Sequence, residues 1–325
     1  MKLRKHHSGI SRSKSEKNPP PAWKIWFRAF RLHYVLPSIL PALLGSAMAL
    51  AEGMTISVLH FVLVIAGVTI NHLGINMIDD VMDYRSSVDL QGNSDQNFFT
   101  GGSGVLTEGL LHDSQMLKAA GFCFLMTALV GAYLTYACGW PVLFFGLFGM
   151  ACSIFYTAPP VRFGYRGLGE LGLLVNFGPV IVMGSYFVQA RNFALEPLIA
   201  SLVPGLMMWS MIMMNEIPDY EADRSGGKWN LVARYGKMAG VMFFGTGLAA
   251  AYAVLIIGVW TQILSPWVMA ALLSLPLAMK SFSVMTRHLH DPAAMAPANL
   301  AMIKVHALSV SAMVAAYFIE GFHLF

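Results

Sequence analysis

Apolar residues run along most of the chain in stretches of about 20, separated by short polar segments. A stretch of that length is what an α-helix needs to cross the hydrocarbon core of a bilayer. The pattern therefore predicts an all-α, polytopic membrane protein, a bundle of about nine transmembrane helices. The predicted spans are residues 32–50, 56–78, 115–138, 140–158, 168–190, 195–215, 236–260, 264–280 and 299–320.

The composition agrees with this pattern. Of the 325 residues, 56% are hydrophobic and only 12% are charged, and the mean hydropathy is +0.60. Soluble globular domains carry roughly 25% charged residues, so this class is excluded. The three cysteines lie in or beside apolar spans without metal-ligand spacing, and we interpret them as small core residues.

The first 22 residues differ from the rest of the chain. Residues 1–22 are basic, polar and rich in proline at their end, which predicts a disordered cytoplasmic tail before a membrane domain at 23–325. With nine spans and the N-terminus inside, 20 of the 21 lysines and arginines lie on the cytoplasmic side, and only Arg191 lies outside. We predict a multi-pass protein of the inner (plasma) membrane.

The expected partners follow from the same charges. A basic tail beside a membrane is more typical of contact with anionic lipid than with nucleic acid, and no nucleic-acid motif is present. The bilayer is therefore the expected partner, without nucleic acid and without an obligate protein partner.

Acidic residues cluster after the second span, in the stretch NHLGINMIDDVMDYRSSVD at 71–89. On a helix, Asn76, Asp80 and Asp83 fall at i, i+4 and i+7 and share one face. Carboxylates this close repel one another unless a cation lies among them, and clustered oxygen ligands suit Mg²⁺. We therefore predict a metal half-site here, with Asp79 as a further ligand.

A second acidic stretch, NEIPDYEADRSGGK, follows the sixth span and begins at Asn215. Pro218 ends the helix, so Asp219 and Asp223 are expected where it opens into a loop. The predicted topology brings both stretches to the cytoplasmic face. Two half-sites there predict an active site in which two Mg²⁺ ions hold one diphosphate, with Asp80, Asp83, Asp219 and Asp223 as the catalytic carboxylates.

Several other polar residues on that face are candidates for substrate binding. Ser103 belongs to a Gly-rich run whose backbone N–H groups could hold a phosphate, although such a run is also a common turn. Lys228 could neutralise phosphate oxygens or the carboxylates themselves. Arg162 could also neutralise phosphate oxygens, but it is equally explained by the excess of basic residues in cytoplasmic loops. Arg28 and Arg31 either anchor the first span or contact the diphosphate. Glu170, a carboxylate just inside an apolar run, is expected to have a partner.

Two other classes of protein also place acids in membranes. An ion-coupled transporter would use carboxylates along its path, but here they cluster at one face and the outer half lacks matching polar groups. An intramembrane aspartyl protease needs two isolated aspartates, which six or more clustered carboxylates fit poorly.

Taken together, the motifs resemble the UbiA superfamily of intramembrane aromatic prenyltransferases. The first motif of its 1,4-dihydroxy-2-naphthoate branch has the form N-x-x-N-D-x-x-D-x-x-x-x-x-D, with Asn76, Asp80, Asp83 and Asp89 in register. The similarity continues at 101–109 (GGSGVLTEG), 156–172 (YTAPPVRFGYRGLGELG), 177–186 (FGPVIVMGSY) and 215–236 (NEIPDYEADRSGGKWNLVARYG). It covers most of the chain after Trp23.

The resemblance implies Mg²⁺-dependent transfer of a prenyl group from a polyprenyl diphosphate to an aromatic acceptor. The expected acceptor is 1,4-dihydroxy-2-naphthoate, in menaquinone biosynthesis, with 4-hydroxybenzoate or homogentisate as alternatives. Asn76 and Asn215 would bind a metal or orient a carboxylate, and Tyr156 would face the acceptor or the diphosphate.

The chain departs from the family pattern at two places. Asp79 replaces the second Asn of the first motif. The Arg that many relatives carry before the Gly-rich segment is missing from SDQNFFT at 94–100, and Arg85, Arg162 or Lys228 is the expected substitute.

Overall fold

The protein is described by a computed structural model, which covers residues 20–86 and 101–322. The described residues form helices and connecting turns, with no strand among them. In chain order the α-helices are α1 Ala22–Phe30, α2 Leu36–Ala51, α3 Val58–Arg85, α4 Asp113–Cys138, α5 Trp140–Phe155, α6 Gly169–Val175, α7 Ile181–Ala190, α8 Leu195–Glu216, α9 Tyr220–Ser225, α10 Leu231–Tyr235, α11 Lys237–Trp260, α12 Leu275–Arg287 and α13 Pro292–Phe322.

The predicted spans correspond to these helices. Within the described part of the chain, seven helical segments are long and apolar enough to cross a membrane: Val58–Arg85, Asp113–Cys138, Gly169–Ala190, Leu195–Glu216, Lys237–Trp260, Pro266–Arg287 and Pro292–Phe322. The shorter apolar helices α2 and α5 occupy the other two predicted positions. The all-helical membrane fold is therefore confirmed. The seven long segments and the two shorter helices together give about nine apolar helical segments among the described residues.

Two of these segments are not uniform α-helices. A π-helical turn, Asn176–Val180, joins α6 to α7, and it contains Pro179, which has no N–H to donate. A 3₁₀ segment, Pro266–Ser274, precedes α12. Small residues allow close packing at the π-turn, because a Cβ on Gly178 would lie 2.5 Å from the carbonyl oxygen of Ser201 in α8.

Helix α8 lies at the centre of the main hydrophobic core. It packs against α6 and α11, and Met207, Met213 and Met214 are fully buried. Methionine side chains are flexible and fill irregular gaps between helices. The helix ends at Glu216, before Pro218, and so delivers the second acidic stretch to the end of the bundle.

The outer surface of the bundle is apolar. Aromatic side chains at the helix ends are strongly exposed, among them Tyr136, Trp140, Trp260 and Trp267. Aromatic residues at helix ends are typical of the interface between lipid and water. With the spans, they describe an integral membrane protein.

Candidate active site

The two acidic stretches meet in one cavity of about 200 Å³ at an end of the bundle. Helix α3 supplies the first stretch, while the end of α8 and α9 supply the second. The predicted site residues that line it are Asn76, Asp79, Asp80, Asp83, Tyr156, Asn215, Asp219, Asp223 and Lys228. Asp89 lies outside the described residues.

Asp80 is held by backbone and cationic donors. Its side chain is 3% exposed, and its two oxygens accept the N–H of Ser103 at 3.2 and 3.1 Å. Arg31 Nη1 lies 3.5 Å from Oδ1. Arg31 ends α1 in the left-handed conformation, with φ of 49°. That cap turns the chain so that an arginine at the membrane surface reaches the cavity.

Asp83 is bound by a lysine and a tyrosine. Lys228 Nζ lies 2.7 Å from Oδ2, and Tyr165 Oη donates to Oδ1 at 2.5 Å. Burial alone would lower the pKa of Lys228, but the charges of Asp83, Asp223 and Asp79 outweigh it and hold that pKa well above its usual value. Lys228 is therefore an internal counter-ion for the first acidic stretch.

The second acidic stretch is satisfied by neutral donors. Asp219 Oδ2 accepts the N–H of Gly101 at 3.2 Å, and Asp223 Oδ2 accepts the Asn230 side-chain amide at 2.6 Å. Burial raises the pKa of Asp219 to about 6 and that of Asp223 to about 8. Both carboxyls thus gain from a nearby positive charge.

The Gly-rich loop contacts the carboxylates directly. Its Gly101 and Ser103 N–H groups, which the sequence suggested for phosphate, bind Asp219 and Asp80. Gly101 and Gly104 have φ of 75° and 77°, a backbone region in which glycine is unstrained. The Ser103 hydroxyl accepts the N–H of Val105 at 3.4 Å, and Ser103 does not line the cavity.

The two asparagines hold neighbouring elements. Asn76 donates to the carbonyl oxygen of Phe30 at 3.0 Å, which ties α3 to the end of α1. Asn215 Oδ1 accepts the side-chain amide of Asn299 at 3.0 Å, which ties α8 to α13. Their geometry is that of residues that orient the helices bearing the carboxylates.

Arg162 points away from the cavity. It has φ of 46°, its Nε donates to the carbonyl oxygen of Thr157 at 3.1 Å, and its guanidinium lies 3.9 Å from the ring centroid of Tyr165. Among the described residues it does not line the cavity, and it reaches the site through Tyr165, the residue that donates to Asp83.

The ligand set suits a hard divalent cation. All the cavity acids offer oxygen, and Asp79 Oδ1 and Glu216 Oε2 are buried without a hydrogen-bond partner. Within residues 20–86 and 101–322, however, no three acidic, histidine or cysteine side chains are arranged to hold a metal ion by themselves. In the structure, the carboxylate oxygens of Asp80 contact Arg31 and the Ser103 N–H, and those of Asp83 contact Lys228 and Tyr165.

Sequence reasoning missed two residues of the site. Tyr165 donates to Asp83, and Asn230 donates to Asp223. Tyr165 lies in the polar segment 156–172, which the predicted topology places on the same face as the acidic stretches, but the sequence indicated no role for it. Asn230 could have been recognised in the sequence as an N-cap residue. It precedes α10, and its side chain accepts the N–H of Ala233.

A second cavity of about 220 Å³ opens deeper among the helices α3, α4, α5 and α7. Its lining is mostly apolar, and His72, Ile75 and Phe177 line both cavities. Gly131 and Gly146 line it too, and apart from the adjoining backbone of its own helix no atom lies within 4 Å of a Cβ built on either. The polar cavity at the end of the bundle thus adjoins an apolar one.

Fold and site together define an integral membrane protein with a buried, acid-lined polar cavity beside an apolar one. The sequence profile of the UbiA prenyltransferase family matches residues 38–303. The chain belongs to the UbiA prenyltransferase family, and it is a prenyltransferase, as the sequence predicted.

Curated relatives are similar over most of their length. A 1,4-dihydroxy-2-naphthoate octaprenyltransferase of Bacillus subtilis is 24% identical over 78% of this chain and 79% of the relative. A 2-carboxy-1,4-naphthoquinone phytyltransferase of Synechocystis is 26% identical over 92% of this chain and 94% of the relative.

Solved structures share the fold. A UbiA homologue from Aeropyrum pernix superposes with a TM-score of 0.65 at 17% identity, covering 89% of this chain and 98% of the other. A UbiA homologue from Archaeoglobus fulgidus, solved with GPP and Mg²⁺, gives a TM-score of 0.63 at 14% identity, covering 92% and 99%.

Proposed function

We propose that the protein transfers the prenyl group of a polyprenyl diphosphate to 1,4-dihydroxy-2-naphthoate, a step of menaquinone biosynthesis. The observation that carries the proposal is the meeting of two distant acidic stretches, with Lys228 and Arg31, in one buried cavity. The relatives from Bacillus and Synechocystis support the acceptor, since both are named for carboxylated naphthalene rings with oxygen at positions 1 and 4.

The diphosphate head would bind in the polar cavity. Two Mg²⁺ ions would be held there, one by Asp79, Asp80 and Asp83 and one by Asp219 and Asp223. Mg²⁺ usually keeps several waters and shares itself between one or two carboxylates and substrate phosphates, which agrees with a site that lacks a complete acidic set of its own among the described residues. When bound, the metal supplies positive charge to the diphosphate as its negative charge grows.

The side chains of this protein would complete the neutralisation. Lys228 and Arg31 are cations at the cavity wall, and each can move from a carboxylate to a phosphate oxygen as the ligands rearrange. Tyr165 would keep Asp83 oriented during this change. Asn76 and Asn215 would keep the carboxylate-bearing helices in place.

The isoprenoid tail would extend into the second cavity. Phe177 and Ile75 line the junction between the two cavities, and Met208 and Met211 line the inner part of the first. These apolar groups would keep water from the allylic carbon as its bond to diphosphate oxygen breaks and its bond to the ring carbon forms. The ring then regains aromaticity by losing the substituent of the attacked carbon, which is carbon dioxide where that carbon carries the carboxylate and a proton where it carries hydrogen. Tyr156, buried in the wall of the polar cavity, is our candidate contact for the acceptor.

The orientation proposed from the sequence places this cavity and the N-terminus on the cytoplasmic side of the inner (plasma) membrane. The basic residues of the intervening loops support it. Both substrates would then meet at the inner leaflet, the diphosphate head from water and the tail from lipid.

A direct assay tests the proposal. Purified protein is incubated with Mg²⁺, a polyprenyl diphosphate and, separately, 1,4-dihydroxy-2-naphthoate, 4-hydroxybenzoate and homogentisate, and products are identified by mass spectrometry. We expect a prenylated naphthalene product that chelation of Mg²⁺ abolishes. Product from another ring only would refute the acceptor, and full activity in chelator would refute the role of the metal.

A further inference from the structure

Glu170 is a buried acid outside the cavity, and the proposed reaction does not use it. It lies in the first turn of α6, its side chain is 0% exposed, and its Oε1 accepts the backbone N–H of Leu231, the first residue of α10. A carboxyl group at the edge of a membrane span is costly to bury and is normally paired. Its place in this fold therefore needs an explanation.

Only one of the two Glu170 carboxylate oxygens has a hydrogen-bond partner. Glu170 Oε2 is buried without one, as is Oε2 of Glu216, the last residue of α8. Glu216 lines the polar cavity, whereas Glu170 does not. The Leu231 N–H is therefore the contact through which Glu170 can act on the site.

Leu231 follows the segment that enters the site. Residues 226–235, here called the Lys228 loop, make two contacts with the acidic stretches just before Leu231: Lys228 Nζ to Asp83 at 2.7 Å and Asn230 to Asp223 at 2.6 Å. Glu170 binds the backbone one residue after the second contact. It is the side chain from α6 that fixes the loop against the bundle.

We propose that Glu170 is a positioning residue, which holds the Lys228 loop at the diphosphate site through the Leu231 N–H. The inference rests on the proposed diphosphate substrate. Glu170 acts through Lys228 and touches no substrate, so its loss should weaken binding of the diphosphate.

Other contacts keep the loop folded without Glu170. The Trp229 N–H donates to the carbonyl oxygen of Tyr165 at 3.1 Å, and Arg234 donates to that of Arg166 at 3.0 Å. We therefore expect Glu170→Ala to fold, with a KM for polyprenyl diphosphate raised about tenfold or more. Glu170→Gln should stay within about threefold of wild type, because its amide oxygen can still accept the Leu231 N–H.

A backbone variant tests the same bond from the other side. Leu231→Pro removes the N–H that Glu170 binds, and proline is tolerated at the first position of a helix. Asn230, with φ of −67° and ψ of 176°, already has the extended backbone that precedes proline. Leu231→Pro should raise the KM for diphosphate as Glu170→Ala does, and the two changes together should cost little more than either alone.

Glu196→Ala is the matched control. Glu196 accepts a hydrogen bond from Tyr317 at 2.7 Å. It lies at the end of α8 opposite to Glu216, roughly 30 Å from Glu216 along the helix. Its loss also removes a carboxylate that joins two helices, so it should affect the melting temperature without changing the KM for diphosphate.

A double-mutant cycle separates positioning from general stability. The Kd of a non-reactive prenyl thiolodiphosphate is measured with Mg²⁺ for wild type, Glu170→Ala, Lys228→Met and the double variant. We expect Glu170→Ala to weaken binding of the analogue about tenfold when Lys228 is present, and less than about twofold in the Lys228→Met background. An equal loss in both backgrounds, or a wild-type Kd in Glu170→Ala, would overturn the inference.

These results also separate the two proposals. If wild type binds the analogue but prenylates none of the aromatic acceptors, the proposed acceptor fails and the cycle still tests Glu170. If wild type forms the naphthalene product and Glu170→Ala retains the wild-type KM and Kd, the role of Glu170 alone is refuted.

Discussion

Replacing Lys228 by methionine should separate the two tasks of this side chain. Methionine keeps an unbranched side chain of similar length and removes the charge. In the metal-free protein Lys228 neutralises Asp83, and in the proposed complex it would neutralise the diphosphate. Lys228→Met should therefore bind Mg²⁺ more readily by itself and bind the diphosphate less well.

The magnitude follows from the geometry of the pair. The Lys228 and Asp83 side chains are 12% and 10% exposed, and their charged atoms are 2.7 Å apart. Two unit charges about 4 Å apart interact by about 4 kcal/mol at an effective dielectric constant of about 20. If about 2–4 kcal/mol of such an interaction is lost with the diphosphate, its KM rises by roughly 30-fold to 1000-fold.

Two measurements check this prediction. Initial rates at saturating acceptor give the KM for polyprenyl diphosphate, and a thermal-shift titration gives the Mg²⁺ concentration that stabilises the metal-free protein. We expect Lys228→Met to raise the first and lower the second, because Asp83 loses the cation that competes with the metal.

Arg85→Met supplies the control. Arg85 pairs with Asp113 at the same 2.7 Å, but the side chains are 48% and 37% exposed, and such surface pairs contribute about 0–1 kcal/mol. It should leave both quantities unchanged. A Lys228→Met enzyme with a wild-type KM, or one that Mg²⁺ stabilises less than wild type, would refute the reasoning.

Three further predictions concern the metal and the tail. Asp80→Asn and Asp219→Asn each remove one charge with little change in shape. Each should lower the rate of Mg²⁺-dependent transfer at least about a hundredfold and leave the melting temperature near that of wild type. A wild-type rate in either variant would contradict the two-metal site. Burial raises the pKa of Asp219 to about 6 and of Asp223 to about 8, so protons compete with the metal for these carboxylates. The Mg²⁺ concentration needed for half-maximal thermal stabilisation should therefore fall as the pH rises from 6 to 9. A constant Mg²⁺ concentration over this range would argue against Asp219 and Asp223 as ligands. Gly131→Leu would fill open space in the second cavity. Product analysis should then show less transfer from long polyprenyl diphosphates but unchanged transfer from geranyl diphosphate. Gly121→Leu, at a position that is also open but outside that cavity, is the control, and equal losses in both variants would refute the assignment of the tail to this cavity.

The membrane fold was predictable because the bilayer fixes it locally. Each span needs a set length of apolar residues whatever its neighbours are, and the helices follow the predicted stretches closely. The acidic groups were predictable for a similar reason: Asp80 and Asp83 share a helix face through spacing alone. Their roles as ligands stay predictions.

The contacts of the site depend on tertiary packing, which spacing does not encode. Tyr165 and Asp83 are 82 residues apart and meet only because the turn Phe163–Arg166 packs beside α3. Arg162 was a candidate for the diphosphate because of its charge, yet its left-handed backbone directs the guanidinium to Thr157 and Tyr165. The sequence gives the sign of a charge in a loop, whereas the direction in which the side chain points depends on the conformation of the turn.

The two cavities lie side by side, and this has a consequence for the course of catalysis. His72, Ile75 and Phe177 stand where the polar cavity meets the apolar one, so on the proposed reaction the two products form on opposite sides of that boundary. Diphosphate can depart only toward water, while the prenylated ring has its affinity for lipid. Each is diluted into a different phase, and this partition would drive the reaction forward without any conformational step dedicated to preventing its reversal.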